Sequence, residues 1–215
     1  MDKNLLLHLY SRSESVFTVN EVAQFFPNLS YKSLKNSLYY FTKVGKLKKL
    51  HYGIYAKKEY SPLEAANKIY KPSYISLETV LTKGGVVFQH YGTIFLASYL
   101  TRTIEINDTN IQYRQIGKHI LTNTEGIEQK TGYFIASLER AFLDAVYIYK
   151  NYHFDNLEAL DWNKIEGLEK IYKNKAFEKR LKNYYKLKQE EDGKRWSAQI
   201  NSCHDFTIGL LWPDT

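Results

Sequence analysis

Cysteine is almost absent from this sequence, and its scarcity excludes one class of small protein. Cys203 is the only cysteine among 215 residues, so no disulfide can form within the chain. Disulfide-stapled secreted domains are thereby excluded, and a reducing cytoplasm is the expected compartment. The apolar segment at residues 5–10 (LLLHLY) is too short for a signal peptide, and no apolar run approaches the roughly 20 residues of a membrane span. We therefore expect a soluble cytoplasmic protein with no membrane partner.

Metal-binding and phosphate-binding patterns are also missing. The six histidines are scattered, and none stands at the spacing of a ligand pair. Gly84-Gly85 lacks the Lys and Ser/Thr that a phosphate-binding loop needs. Cys203 and His204 are neighbours, an arrangement that rarely gives a nucleophile with its base. The expected sets of catalytic residues, metal ligands and cofactors are therefore empty.

Acidic residues are missing from residues 30–58, where eight lysines stand without a single Asp or Glu. The chain carries a net charge of +7, and most of that excess lies within positions 1–60. A local excess of this kind indicates an anionic partner. The composition then turns balanced, which predicts a first domain at residues 1–60, a second at 61–200, and a tail of unknown role at 201–215.

The N-terminal part of the chain has the pattern of short helices followed by a hairpin. Leu5, Leu6 and Leu9 predict a helix over residues 3–11. The segment TVNE at residues 18–21 is a capping box for a second helix, which Pro27 ends. Ser30 is the predicted cap of a third helix, with Gly45 after its end. The apolar stripe of this third helix is expected to hold Tyr31, Leu34, Leu38 and Phe41.

The lysine-rich segment after the third helix predicts a β-hairpin with its turn at Tyr52-Gly53. This order of elements is that of a winged helix-turn-helix, whose third helix enters the major groove of DNA. Asn36 is the expected base reader, since Asn can bond an adenine edge at two points. The predicted DNA-contacting residues are Ser30, Lys32, Ser33, Lys35, Asn36, Tyr39, Lys43, Lys46, Lys48, Lys49, His51, Tyr52, Lys57 and Lys58.

The second part of the chain predicts an α+β arrangement with a mostly antiparallel sheet and C-terminal helices. A helix begins at Ser61-Pro62, and another is expected to be capped by Ser76 and closed by Gly84-Gly85. The segments TIFLASYL, TIEIND and IQYRQIG predict an antiparallel meander, continued at residues 120–122 and 133–136. SLERAFLDAVYIY predicts a strong helix. Further helices are expected at about 156–160, 163–172 and 175–190.

Three segments also resemble one family. They are FTVNEVAQFFPNLSYKSLKNSLYYFTKVGKLKKLHYGIYAKK, PSYISLETVLTKGGVV and SLERAFLDAVY, and they are similar to AbiEi-type proteins, the antitoxins of type IV toxin–antitoxin systems. The resemblance covers roughly residues 15–150. It implies autorepression through residues 30–43 and 46–58 of the winged domain. It also implies opposition to a nucleotidyltransferase-like toxin through the second domain, where the matching segments are 73–87 and 137–147.

The function expected from these observations is that of a transcriptional repressor acting as an antitoxin. The protein would bind the double-stranded DNA of its own operator as a monomer or dimer. Its functional partner would be the toxin. Two alternatives stay open. Asp108, Glu128 and Lys130 have the residue types of a metal-dependent nuclease, in which the winged domain would only target the substrate. A winged domain that binds protein alone is the other alternative.

Overall fold

The structure, a computed structural model, describes the backbone of residues 3–205 and the side chains of residues 4–190. The chain divides after Tyr172 into two compact units. Helices and strands are mixed along the first unit, which confirms the predicted α+β class. Within the described residues, no helix combines the length and the apolar character needed to cross a membrane.

The elements follow one another in an order close to the predicted one. They are α1 (Lys3–Ser11), β1 (Val16–Thr18), α2 (Val19–Phe25), α3 (Tyr31–Lys43), β2 (Lys48–His51), β3 (Ile54–Ala56), α4 (Pro62–Ile69), β4 (Ser73–Ile75), α5 (Glu78–Lys83), β5 (Thr93–Ser98), β6 (Arg102–Ile106), β7 (Thr109–Gln115), α6 (Lys118–Leu121), β8 (Ile127–Lys130), β9 (Tyr133–Ala136), α7 (Leu138–Ile148), α8 (Trp162–Leu168), a 3₁₀ turn (Glu169–Ile171) and α9 (Lys175–Asp205).

The first three strands form a small antiparallel sheet in the order β1-β3-β2. Its two faces bury different side chains, because neighbouring residues of a strand point to opposite sides. Tyr55 packs into the core shared with α1, α2 and α3, where Leu34 and Leu38 are fully buried. Ala56 packs on the other face beside Ala65 of α4. The sheet therefore lies between the first three helices and α4.

Side chains of α4 occupy the edge of β1 that β3 leaves open. The Glu64 carboxylate accepts from the backbone N–H groups of Ser15 at 2.8 Å and Val16 at 3.1 Å. The Lys68 ammonium donates to the carbonyl oxygen of Val16 at 2.6 Å and to Glu21 Oε2 at 3.1 Å. These contacts fix α4 against the first three strands. The predicted domain boundary near residue 60 remains a prediction.

The larger sheet has six strands in the order β6-β7-β5-β4-β9-β8. The predicted meander of β5, β6 and β7 is wrong: β7 pairs in parallel with β5, and β6 lies outside it, antiparallel to β7. The burial of the side chains explains why β7, and not β6, pairs with β5. Ile111 and Tyr113 of β7 are buried, whereas Arg102 and Glu105 of β6 are exposed. The more polar strand thus occupies the edge, where charged residues also discourage pairing with other chains.

Three further predictions for this region are wrong. Residues 120–122 are not a strand, because α6 covers residues 118–121, and residues 156–160 contain no helix. Ser76 does not cap α5: its Oγ donates to the buried Asp144 at 2.7 Å, and the N-cap residue is Leu77, which has no capping side chain. The residues before α5 form β4 instead. Because the Ser76 hydroxyl is bonded to the Asp144 carboxylate, it does not cap the N-terminus of α5.

The helix α7 carries a buried ion pair. Asp144 and Arg140 are both fully buried, with Nε of Arg140 lying 3.6 Å from Oδ1 of Asp144. Asp144 also accepts from Tyr172 at 2.6 Å and from Tyr74 at 3.1 Å. Burial raises the pKa of Asp144, and the arginine and its three hydroxyl donors oppose that rise. The network ties β4, α7 and the end of the first unit together.

The second unit is described only as the helix α9. It confirms the helix predicted at residues 175–190 and continues to Asp205. The helix predicted at 163–172 is also confirmed, as α8 and the 3₁₀ turn. Most of the predicted tail, residues 206–215, lies outside the described residues.

Candidate nucleic-acid interface

The helix α3 is anchored by a cap, a buried stripe and a glycine terminator. Ser30 accepts from the backbone N–H of Ser33 at 3.2 Å, as predicted from its position before the helix. Leu34, Leu38 and Phe41 are buried in the core of the first three helices. Gly45 follows the helix with a φ of +67°, the left-handed conformation that favours glycine after a helix. One face of α3 is thereby fixed.

The opposite face of α3 stands in solvent. The four residues predicted for it, Lys32, Asn36, Tyr39 and Lys43, are all exposed. The ammonium of Lys43 lies 5.4 Å from the ring centre of Tyr39, so the end of this face combines a cation with an aromatic surface. Tyr31, which the sequence placed in the buried stripe, is 48 % exposed. That prediction is wrong, because Tyr31 lies in the exposed first turn of α3, and the buried part of the stripe begins only after residues 30–33.

Lys35 joins the first turn of α3 to the tip of the hairpin. Its ammonium lies 4.7 Å from the ring centre of Tyr31 and 5.6 Å from that of Tyr52. Tyr52 is 79 % exposed, and the carbonyl of Gly53 beside it accepts from the backbone N–H of Val19 at 3.0 Å. The hairpin tip is therefore attached to the start of α2 and presents an aromatic ring next to α3.

The helix α3 and the hairpin segment carry cations without carboxylate partners. Among the residues that the structure describes, none of the following lies within 4.0 Å of a carboxylate oxygen: Lys32, Lys35, Lys43, Lys46, Lys48, Lys49 and Lys58. The segment between Ser30 and Lys58 contains no acid, so the chain offers these lysines no neighbour of opposite sign in sequence. Such a surface attracts anions over a range set by the salt concentration.

Lys57 differs from the other predicted contacts. Its side chain is half-buried, and its ammonium donates to the backbone carbonyl of Arg12 at 2.6 Å. Arg12 follows the C-terminus of α1, where backbone carbonyls lack partners within the helix. The contact explains why Lys57 turns inward while Lys58 remains exposed. Sequence spacing alone gave no sign of the difference, because the two lysines are neighbours in the chain.

The other predicted residues occupy the exposed surface in the expected order. Ser33 lies on the first turn of α3, Lys46 lies before β2, and Lys48 and Lys49 lie on β2. His51 is exposed, and its ring centre lies 6.1 Å from that of Tyr70. Tyr40 on α3 is 42 % exposed and was not predicted. The sequence feature that could have indicated Tyr40 is an aromatic residue on the predicted helix just outside the apolar stripe.

The residues of the nuclease alternative are far apart in the fold. Asp108 lies in the turn between β6 and β7, whereas Glu128 and Lys130 lie on β8 at the opposite edge of the sheet. Four strand spacings separate β7 from β8, or about 19 Å. Glu128 and Lys130 form an exposed ion pair of 2.6 Å, which lowers the pKa of the glutamate. In the described part of the chain, no three His, Cys, Asp or Glu side chains converge as metal ligands.

Comparison of the sequence with protein-family models and with curated proteins finds no match.

Proposed function

We propose that this protein is a cytoplasmic DNA-binding transcriptional repressor with a winged helix-turn-helix at positions 1–60. The observation that carries the proposal is the surface of α3 and the β2–β3 hairpin, which comes from a segment without acidic residues and carries seven lysines that have no carboxylate partner in the described residues. Support also comes from the element order α1-β1-α2-α3-β2-β3 and the strand order β1-β3-β2. Both orders agree with the proposed winged helix-turn-helix. The proposed role is binding rather than catalysis.

In this mechanism α3 inserts into the major groove and the hairpin follows the sugar-phosphate backbone. A helix can enter the groove only if one face is held by the protein and the other is free for base edges. Leu34 and Leu38 hold α3, and Asn36 stands on its free face. We assign base reading to Asn36 and phosphate contacts to Lys48 and Lys49. A single module of this size buries only about 600–1,000 Å² on DNA, so two copies or two operator repeats would supply specificity.

We further propose that the repressor is the antitoxin of a type IV toxin–antitoxin system. This part of the proposal rests on the resemblance of residues 15–150 to AbiEi-type proteins. In that role the protein would repress its own operon and oppose a nucleotidyltransferase-like toxin. Co-expression with a nucleotidyltransferase encoded beside it should restore growth that the toxin alone arrests. Persistent growth arrest in the presence of the folded protein would remove the antitoxin role and leave the repressor role standing.

The experiment measures the affinity of the full chain for duplex DNA from its own promoter and for a shuffled duplex of equal composition. Affinity should fall steeply with salt, because lysines that contact phosphates release bound cations from DNA. Asn36→Ala should reduce the preference for the promoter duplex by about fivefold to 150-fold, since a two-point contact to a base contributes about 1–3 kcal/mol. Lys48→Ala with Lys49→Ala should weaken binding to both duplexes alike.

The control carries Lys118→Ala with Lys150→Ala, two exposed lysines outside the proposed surface, and should bind as the parent does. Binding that ignores salt would favour a winged domain that recognises protein. Mg²⁺-dependent cleavage that disappears in Glu128→Ala would favour the nuclease. A protein that fails to bind its promoter at low salt contradicts the proposed function.

A further inference from the structure

A cleft separates the basic hairpin from the β6–β7 turn of the larger sheet. Its volume is about 750 Å³. Lys48, Lys49 and Lys58 contribute to one side of it, and Asn107 and Thr109 contribute to the other. Thr42, on the last turn of α3, also lines the cleft. The cleft is therefore continuous with the surface that we assign to DNA, yet one side of it comes from beyond the predicted winged domain.

The two sides of the cleft are connected by a hydrogen bond. The side-chain amide of Asn107 donates to the hydroxyl of Tyr60 at 2.7 Å, and the ring centre of Tyr60 lies 5.5 Å from the ammonium of Lys48. Asn107 is also held by its backbone, because it occupies a two-residue turn between the paired residues Ile106 and Thr109. The turn has positive φ at both central positions, +45° at Asn107 and +64° at Asp108. The hydrogen bond to Tyr60 and the backbone of the turn together fix the position of the Asn107 side-chain amide.

The cleft has the donors and the charge of a phosphate site. Three lysines line it against one carboxylate, that of Glu59. An Asn side chain has two amide hydrogens, and within the described residues Asn107 uses one of them, on Tyr60. The second is available to an acceptor in the cleft. Thr109 adds a hydroxyl that makes no side-chain hydrogen bond to another described residue.

We propose that this cleft holds a backbone phosphate of the DNA strand that runs beside the hairpin. Lys48 and Lys58 supply the charge, and Asn107, positioned by Tyr60, donates a hydrogen bond from the opposite side. The β6–β7 turn of the larger sheet is then part of the DNA-binding surface, together with α3 and the hairpin. Continuity with α3 through Thr42 favours a duplex over an acidic peptide as the occupant. The inference rests on the proposed function.

The decisive variant is Asn107→Asp, measured in the full chain by DNA binding at several salt concentrations. Aspartate keeps the size of the side chain, tolerates the same turn, and can accept a hydrogen bond from the Tyr60 hydroxyl. It replaces the donor that faces the phosphate with a negative charge. Affinity for duplex DNA should fall about tenfold at low salt, and the loss should shrink as salt rises. Asn107→Lys should have the opposite effect and steepen the salt dependence by about 0.9 in the logarithmic slope.

Gln129→Glu is the matched control, because it adds the same charge at an exposed position on β8, at the far edge of the sheet. It should leave DNA affinity unchanged. Thermal melting of each variant verifies that the fold is retained. If Asn107→Asp binds DNA as Gln129→Glu does, while Lys43→Ala and Lys46→Ala, which lie outside the cleft, still weaken binding, the cleft proposal is wrong and the repressor function stands. If the parent protein binds no duplex at any salt, the proposed function fails first.

Discussion

The ammonium of Lys68 donates to the carbonyl oxygen of Val16 across 2.6 Å, and in this way α4 takes the place of a fourth strand beside β1. The neighbouring Glu64 binds the N–H groups on the same edge. Backbone groups at a sheet edge need partners when they are buried. Here the partners come from the segment that follows the basic hairpin, so charged side chains hold α4 against the first strand of the proposed DNA-binding part.

Replacing Lys68 by Met should lower the free energy of unfolding by about 3–5 kcal/mol, because it leaves the buried Glu64 carboxylate without its cation. Met retains most of the apolar stem, so the loss reports on the charge. Urea unfolding at neutral pH measures it. Lys71→Met is the matched control, since Lys71 is half-exposed and pairs with Glu21 at 3.4 Å. Its effect should stay below about 0.5 kcal/mol, and equal losses in the two variants would contradict the role of Lys68.

Glu21 should make stability depend on pH. Burial acts to raise its pKa, but the backbone N–H of Thr18 and the ammonium of Lys68 outweigh burial, and the pKa lies below its usual value. A carboxylate with a lowered pKa contributes stability above its unfolded pKa of about 4.3, and that contribution is lost as the pH falls through the folded pKa. Glu21→Gln should therefore destabilise the protein by about 1–2 kcal/mol at pH 7.

The difference between Glu21→Gln and the parent should begin to shrink as the pH falls below about 4.3, and it should approach zero only below the lowered folded-state pKa, where the Glu21 carboxyl is protonated. Glutamine can still accept from the Thr18 N–H, so the cap is kept while the charge is removed. Unfolding curves at several pH values between about 3 and 7 would test this. A destabilisation that stays constant across that range would show that the glutamine damages the cap itself.

Local patterns predicted the elements whose stabilising contacts are themselves local. Thr18 and Ser30 cap their helices as expected, because each bonds an amide three residues ahead. Ser76 is also a serine that precedes a helix, but its hydroxyl donates to Asp144, which is 68 residues away in sequence. The same limit applies to the site. The exposed face of α3 follows from helical spacing, whereas the approach of Asn107 to Tyr60 depends on tertiary packing.

Asp144→Asn tests whether the buried charge on α7 is needed. The substitution keeps the shape of the side chain and leaves the fully buried Arg140 without its counter-ion. Removing one partner of a buried pair costs about 3–5 kcal/mol. Chemical denaturation should show a loss of that size, whereas Ser76→Ala, which removes one neutral donor to Asp144, should cost about 1–2 kcal/mol. A loss in Asp144→Asn no greater than that in Ser76→Ala would indicate that the pair contributes little.

Alanine substitutions at Gly132 and Gly45 distinguish backbone strain from steric crowding. Both have positive φ, +82° and +67°. A Cβ at Gly45 would meet nothing within 4 Å, whereas a Cβ at Gly132 would collide with the carboxylate of Glu64. Gly45→Ala should therefore cost about 1–2 kcal/mol from strain alone. Gly132→Ala should cost about 1–3 kcal/mol more, because it also displaces Glu64 from the edge of β1. Thermal unfolding ranks the two variants, and equal melting temperatures would contradict the close approach of Glu64.

Lys57 and Lys58 are neighbours in sequence, but we expect them to have different functions. Lys57→Ala removes the bond to the Arg12 carbonyl and should lower the free energy of unfolding by about 1–2 kcal/mol with little change in DNA affinity. Lys58→Ala removes an exposed cation that lines the cleft. It should leave stability unchanged, weaken DNA binding, and reduce the logarithmic salt slope by about 0.9. Measuring both quantities for both variants makes each the control for the other. If Lys57→Ala weakens DNA binding as much as Lys58→Ala while the fold is equally stable, Lys57 contacts the duplex after all, and the inward contact with Arg12 gives way when DNA binds.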